Sequence, residues 1–275
     1  MLDEAGSRTG TQTIERAVGL LRYIATHQHD GCRLSTLAQD CGLRKSTAHR
    51  MLACLIREGL VLQRPDDRRY MLGPMLFELG LSATPERLEI QHAARVRLSE
   101  LARITQGVVK LFFRSGDDFV CSVRMGDTRM ATQGMTIFPG TRRPLLYSAG
   151  GVAILLALPR REAFDIVRRN LRFYHEYAKG TEAGIRRMIR RSIREGIAIN
   201  EGDIVPGLTA IGLPLCHANG EPFGSISMAG PQDVIRVDRT DEYRELIEDA
   251  ARHMWARTTL PKPGRRMQKE DMVPA

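Results

Sequence analysis

Between positions 14 and 26 the apolar residues Ile14, Ala17, Val18, Leu21, Ile24 and Ala25 recur at the three- and four-residue spacing of one helical face. Ser35 stands where an N-cap would open a second, short helix over 35–40, with Leu37 and Ala38 turned inward. Cys41-Gly42-Leu43 reads as a tight turn, since glycine adopts positive φ without steric cost. A third helix follows over 45–58 and stops at Gly59. Leu60 to Arg64, a Pro65-Asp66-Asp67 turn and Arg68 to Leu72 then read as a β-hairpin. Helix, helix, turn, helix, hairpin is the order of a winged helix-turn-helix.

The pattern changes after Gly73-Pro74. A helical stretch over 75–81 leads to Pro85, and another runs over 86–105. The first reads as a linker helix over 75–85, the second as the opening of a separate domain over 86–257. Strands are expected over 108–114, 119–125, 198–200, 208–215 and 224–228, and helices over 149–158, 161–170, 180–195 and 239–257. Gly116-Asp117-Asp118 and Asn219-Gly220 supply turn chemistry between neighbouring strands, so an antiparallel sheet is expected. The fold class is therefore α+β, with a winged helix-turn-helix domain over 14–74. The lead, 1–13, and the tail, 258–275, are polar and expected to be disordered.

Composition narrows the function. The longest apolar run, 150–158, is half of the roughly 18 residues that a membrane span needs. Five scattered cysteines with no CxxC pair suit a reduced cytoplasm rather than a disulfide frame or zinc knuckle. The net charge of +9 invites a nucleic-acid partner. Its placement does not: residues 1–80 hold eleven basic against nine acidic residues, whereas 160–195 hold eleven against five. The motif must carry the argument. On the third helix Ala48, Met51, Leu52 and Leu55 share one face, and Ser46, Arg50, Ala53 and Arg57 lie opposite, with Thr47 and His49 on the shoulders. Arg50 suits a bidentate pair to guanine, while Arg44, Lys45, Ser46, Thr47 and His49 suit phosphates or base edges. Arg68 and Arg69, beside the hairpin turn, suit a wing that touches phosphate.

The run from Leu34 to Gly73, "LSTLAQDCGLRKSTAHRMLACLIREGLVLQRPDDRRYMLG", resembles the winged helix-turn-helix of the IclR family of bacterial transcriptional regulators, as does "IERAVGLLRYI" before it. The segments "PGTRRPLLYSAGGVAILLALP" and "REGIAINEGDIVPGLTAIGLPLCHANGEPFGSISMAGP" are similar to that family's second domain. The resemblance implies a GAF- or PAS-like α/β effector domain, double-stranded operator DNA as partner, homodimers and also homotetramers, and a small organic acid that sets DNA affinity. It places the effector at the helix start Ser148, Ala149 and Gly150, beside Asn200, Ala210 and Ser227. Asn200 stands where small-acid members have an acid, Ala210 a cysteine, Ala229 a serine, and Val152 a common lysine. A larger acid, aromatic ones included, is the expected effector.

Other classes have little support. The chain has no Gly-x-Ser-x-Gly elbow, dinucleotide fingerprint or P-loop, so neither an enzyme nor a cofactor is expected. Cys32, Cys41 and Cys54 leave a redox- or metal-responsive regulator as the alternative. Arg186, Arg187, Arg190, Arg191 and Arg194 read as a solvated face partly paired with acids at 238–249, in preference to a second DNA contact or a carboxylate lure.

Overall fold

The computed structural model describes residues 11–27, 30–83, 85–126, 137–172 and 181–258. The chain divides into two compact units between Pro85 and Glu86. Most of the expected lead and tail lies outside the described residues. Gln12 and Thr13, however, open the first helix, and the Thr258 N–H and hydroxyl both donate to the Trp255 carbonyl.

The first unit contains α1 (Gln12–Thr26), α2 (Leu34–Asp40), α3 (Lys45–Arg57), β1 (Val61–Gln63), β2 (Tyr70–Leu72) and α4 (Met75–Ala83). Its core is small: Leu20 and Ile24 of α1, Leu37 of α2, Leu52 and Leu55 of α3, and Val61 and Tyr70 of the hairpin. Ser35 is not the cap of α2. That helix starts a residue earlier, behind Arg33, with no side-chain cap. The turn after it is set by backbone alone. Gly42 takes φ +62°, its N–H reaches Gln39 O, and the Leu43 N–H reaches Ala38 O at 2.8 Å. Those two bonds form a Schellman ending, which reverses the chain directly into α3. The hairpin is shorter than expected, three residues a strand, because Arg64 to Arg69 form its turn.

The second unit runs through α5 (Pro85–Thr105), β3 (Val108–Ser115), β4 (Asp118–Met125), β5 (Arg142–Pro144), α6 (Ala149–Leu156), α7 (Arg160–Arg172), α8 (Glu182–Glu195), β6 (Ala198–Glu201), β7 (Leu208–Cys216), β8 (Pro222–Pro231) and α9 (Thr240–Trp255). Six strands form one antiparallel sheet in the order β5-β4-β3-β8-β7-β6. Helices pack on both faces. On one, Val109, Leu111, Phe113, Ile211, Ile226 and Met228 meet α5 and α9. On the other, Val108, Phe112, Phe119, Ala198, Ala210 and Ala229 meet α6, α7 and α8. Double-sided burial explains why β7 reads as a nearly unbroken apolar run instead of alternating.

The second face has unusually close packing at its centre. A Cβ on Gly150 would overlap the Phe112 ring, and one on Gly212 would lie 2.8 Å from the Ala149 carbonyl oxygen. Glycine at both positions lets the first turn of α6 settle onto β7 and β8, where Ser225 Oγ donates to Gly150 O at 2.8 Å. Helix α6 is buried from Ala149 to Leu155, so it carries no polar face.

Candidate functional site

Two sites were expected, one in each unit. In the first, α3 keeps Ala48, Leu52 and Leu55 in the core and leaves Lys45, Ser46, His49, Arg50 and Ala53 exposed. Arg44 is its N-cap residue, in extended conformation and exposed, and Thr47 is half-buried on the shoulder. The side chains of Arg44, Lys45, His49 and Arg50 form no ion pair or hydrogen bond among the described residues, whereas Arg57 at the far end pairs with Glu58. The N-terminal half of this helix is a face of unneutralised positive charge and short hydroxyls, standing on a fixed base. That is the arrangement a recognition helix needs in a major groove.

The hairpin corrects one expectation. Arg69 does not project as a free phosphate contact. It donates to the Asp30 carbonyl at 3.0 Å and pairs with Asp67 at 3.2 Å. Arg64 grips the same Asp67 with two bonds of 2.9 and 2.7 Å, which holds that carboxyl below the ordinary range. The two arginines and Asp67 tie the turn together. Arg68 is the exposed cation of the wing, at φ +57°, with its carbonyl held by Gln63 Nε2 at 2.9 Å.

The expected effector positions do come together in the second unit. Asn200, Ala210, Ala229 and Val108 are consecutive cross-strand partners over β6, β7, β8 and β3. Ala198, Gly212, Ser227, Lys110 and Arg124 form the next row. Ala149 and Gly150 lie over Gly212 in that row. The polar groups, however, have structural work. The Asn200 carboxamide oxygen accepts from the Asp203 and Ile204 N–H groups at 3.0 and 3.2 Å, so this side chain braces the loop that follows it. Ser227 Oγ donates to Ile211 O at 3.0 Å, spending its one proton on β7. Ser148 caps α6 by accepting the Gly151 N–H at 2.9 Å, leaving the Ala149 and Gly150 amides without partners inside the helix. Val152 is fully packed.

Sequence reasoning passed over Lys110 and Arg124. The signal was a single cation inside the apolar run Val108-Val109-Lys110-Leu111-Phe112, a place where a strand buried on both faces has no water for it.

Of the remaining candidates, Cys54 is exposed. Burial raises the Cys32 thiol to about 11 and raises Cys41 as well, so neither is a reactive thiolate at neutral pH. Arg187 and Arg191 pair with Asp203, Arg186 with Glu182 and Arg194 with Glu195. Four of the five α8 arginines are thus partnered, by acids at 182–203 rather than at 238–249, while Arg190 is exposed with no ion pair among the described residues. No described helix is long and apolar enough to cross a membrane.

Comparison with known proteins agrees with both units. The family model for the IclR helix-turn-helix domain matches residues 13–65, and that for the bacterial transcriptional regulator IclR C-terminal matches residues 82–255. The chain is 25% identical over 246 residues to the transcriptional repressor IclR of Escherichia coli, covering 88% of each. It is 30% identical over 216 residues to an HTH-type transcriptional regulator of Mycobacterium tuberculosis, covering 78% of this chain and 80% of that one. Among solved structures, an IclR transcriptional regulator from Alicyclobacillus acidocaldarius superposes with a TM-score of 0.67 at 22% identity, covering 90% of this chain and 99% of that one. An IclR homolog from Microbacterium hydrocarbonoxydans complexed with 4-hydroxybenzoate gives 0.65 at 20% identity, covering 89% and 98%. An exposed cationic helix on a winged helix-turn-helix and a two-faced sheet domain, each matched by its own family model, make one assignment: this chain belongs to the IclR family of DNA-binding bacterial transcriptional regulators and is not an enzyme.

Proposed function

We propose that this regulator reads its operator with α3 and that a small organic acid, held in the second unit, sets its hold on DNA. The DNA-binding domain would span 14–74, a linker helix 75–85 and the effector domain 86–257. The observation that carries the DNA half is the group of Arg44, Lys45, His49 and Arg50 on one exposed helix end, with no acid partner among the described residues. Arg50 would pair with a base edge, Ser46 and Thr47 would reach bases or phosphates, and Arg68 would add a phosphate contact from the wing. The organic-acid half is supported by the clustering of the family's effector positions under the first turn of α6. A solved relative's complex with 4-hydroxybenzoate shows an aromatic acid in a protein of this fold.

Homodimers fit the same reading. Phe77, Leu79 and Leu81 of α4 and Ile14 of α1 are all about half exposed or more, an apolar display that a monomer has no use for. Dimeric operators are inverted repeats, with half-sites one or more helical turns apart.

The test uses a duplex enriched from a random library by the wild-type protein. Arg50→Ala should weaken binding to it by about 1–3 kcal/mol in fluorescence anisotropy at fixed salt, with helical circular dichroism unchanged. Unchanged affinity would remove Arg50 from base reading. A loss of helicity would show a structural role instead.

A further inference from the structure

Lys110 sits at the centre of β3 with 5% of its surface exposed. Its cross-strand partners are Arg124 on β4 and Ser227 on β8, so the three side chains share one row on the sheet face covered by α6, α7 and α8. No acid neutralises this row among the described residues. The Lys110 side chain forms no ion pair or hydrogen bond there, and Arg124 Nε and Nη2 are buried without a hydrogen-bond partner. The guanidinium carbon of Arg124 lies 5.1 Å from the centre of the Phe138 ring, which leaves its in-plane donors unused. The neighbouring titratable group is the Cys121 thiol, which burial pushes up to about 12, so it stays neutral and supplies no counter-charge. Loss of water, and Arg124 beside it, bring Lys110 down to about 8. Two adjacent, largely buried cations without an acid are costly in a folded protein and ordinarily have a partner.

The place of the pair says what partner fits. The row continues through Gly212, over which the first turn of α6 lies with its unbonded Ala149 and Gly150 amides. The adjacent row, Val108, Ala229 and Ala210, is apolar and made of small side chains. An ammonium point charge next to a planar guanidinium suits a carboxylate, and the small apolar row suits a short organic body.

We infer that Lys110 and Arg124 are the anion anchor of the effector site: the acid's carboxylate lies between them, and its apolar part lies against Val108, Ala210 and Ala229. This rests on the organic-acid reading of the second unit. It moves the main carboxylate contact from Asn200 and Ser227, which serve the fold, to two cations that have no acid partner among the described residues.

The full chain is melted at pH 7 with 4-hydroxybenzoate, benzoate, pyruvate, succinate, the corresponding amides, or inorganic phosphate, for wild type, Lys110→Met and Arg124→Gln. An acid that binds only the folded state raises the melting temperature by several degrees at saturating concentration. At least one acid should do so for wild type, its amide should not, and both variants should lose the response. Without ligand, Lys110→Met should melt above wild type, because it removes a buried unpaired charge. Equal shifts in wild type and the variants would place the acid elsewhere and overturn the anchor while leaving the organic-acid reading standing. No shift with any acid would overturn both. A response to phosphate alone would overturn the carboxylate assignment. Should Lys110→Met fail to fold, Arg124→Gln decides by the same comparison.

Discussion

Lys110 differs in chemistry from everything packed around it, and that difference gives stability a definite pH dependence. In the unfolded chain a lysine titrates near its ordinary value, about 10.4. In the fold, burial and Arg124 lower it to about 8. Below pH 8 the side chain is protonated in both states, and the full cost of burying the charge is present. Between about 8 and 10.4 the unfolded state holds more proton than the folded one, so stability contributed by this residue rises with pH. Of the groups that act on it, Cys121 titrates above this window and Arg124 stays charged through it. The melting temperature of Lys110→Met should exceed that of wild type most below pH 8, and the gap should close as pH approaches 10.4. A gap independent of pH would mean that the lysine is not titrating in that range. Gly150 shows a second residue-scale constraint. Even a methyl group there would overlap the Phe112 ring. Such a substitution disrupts packing before it reaches any ligand.

At the scale of elements, the hairpin separates two adjacent arginines by role. Arg69 is used internally, on Asp67 and the Asp30 carbonyl, while Arg68 is exposed. Arg68→Ala should therefore weaken binding to all duplexes about equally and reduce the slope of log affinity against log salt by roughly one. Arg69→Ala should leave that slope alone and lower the melting temperature. The opposite result would mean that the wing rearranges on DNA. Sequence periodicity and turn residues placed α3, the sheet strands β3, β4, β7 and β8, and the helices on both faces within a few residues. What it could not place were β5, three residues long with two arginines, and the α2 start, which lacks a side-chain cap. The roles of Asn200, Ser227 and Arg69 were also hidden. Each depends on which backbone group lies opposite after folding: Asp203 and Ile204, Ile211, or Asp30. Residue type alone does not show whether a polar side chain is already occupied. The same limit concealed Lys110, whose missing partner appears only once β3, β4 and β8 are in register.

Across the whole molecule, each unit has its own hydrophobic core. The charge distribution fits this division. The basic face of α8 is largely neutralised by Asp203, Glu182 and Glu195, whereas the N-terminal end of α3 has no acid partner among the described residues. Sequence-specific binding should accordingly depend on a few α3 side chains rather than on the net charge of +9. The most direct measurement is selection of duplexes from a random library, with wild type and Arg50→Ala run side by side at one salt concentration and the bound pools sequenced. The account predicts that wild type enriches an inverted repeat, and that Arg50→Ala loses preference at one symmetry-related pair of positions while keeping the rest of the motif. Enrichment of the same motif at the same strength by both proteins, or of no motif by wild type, would contradict it.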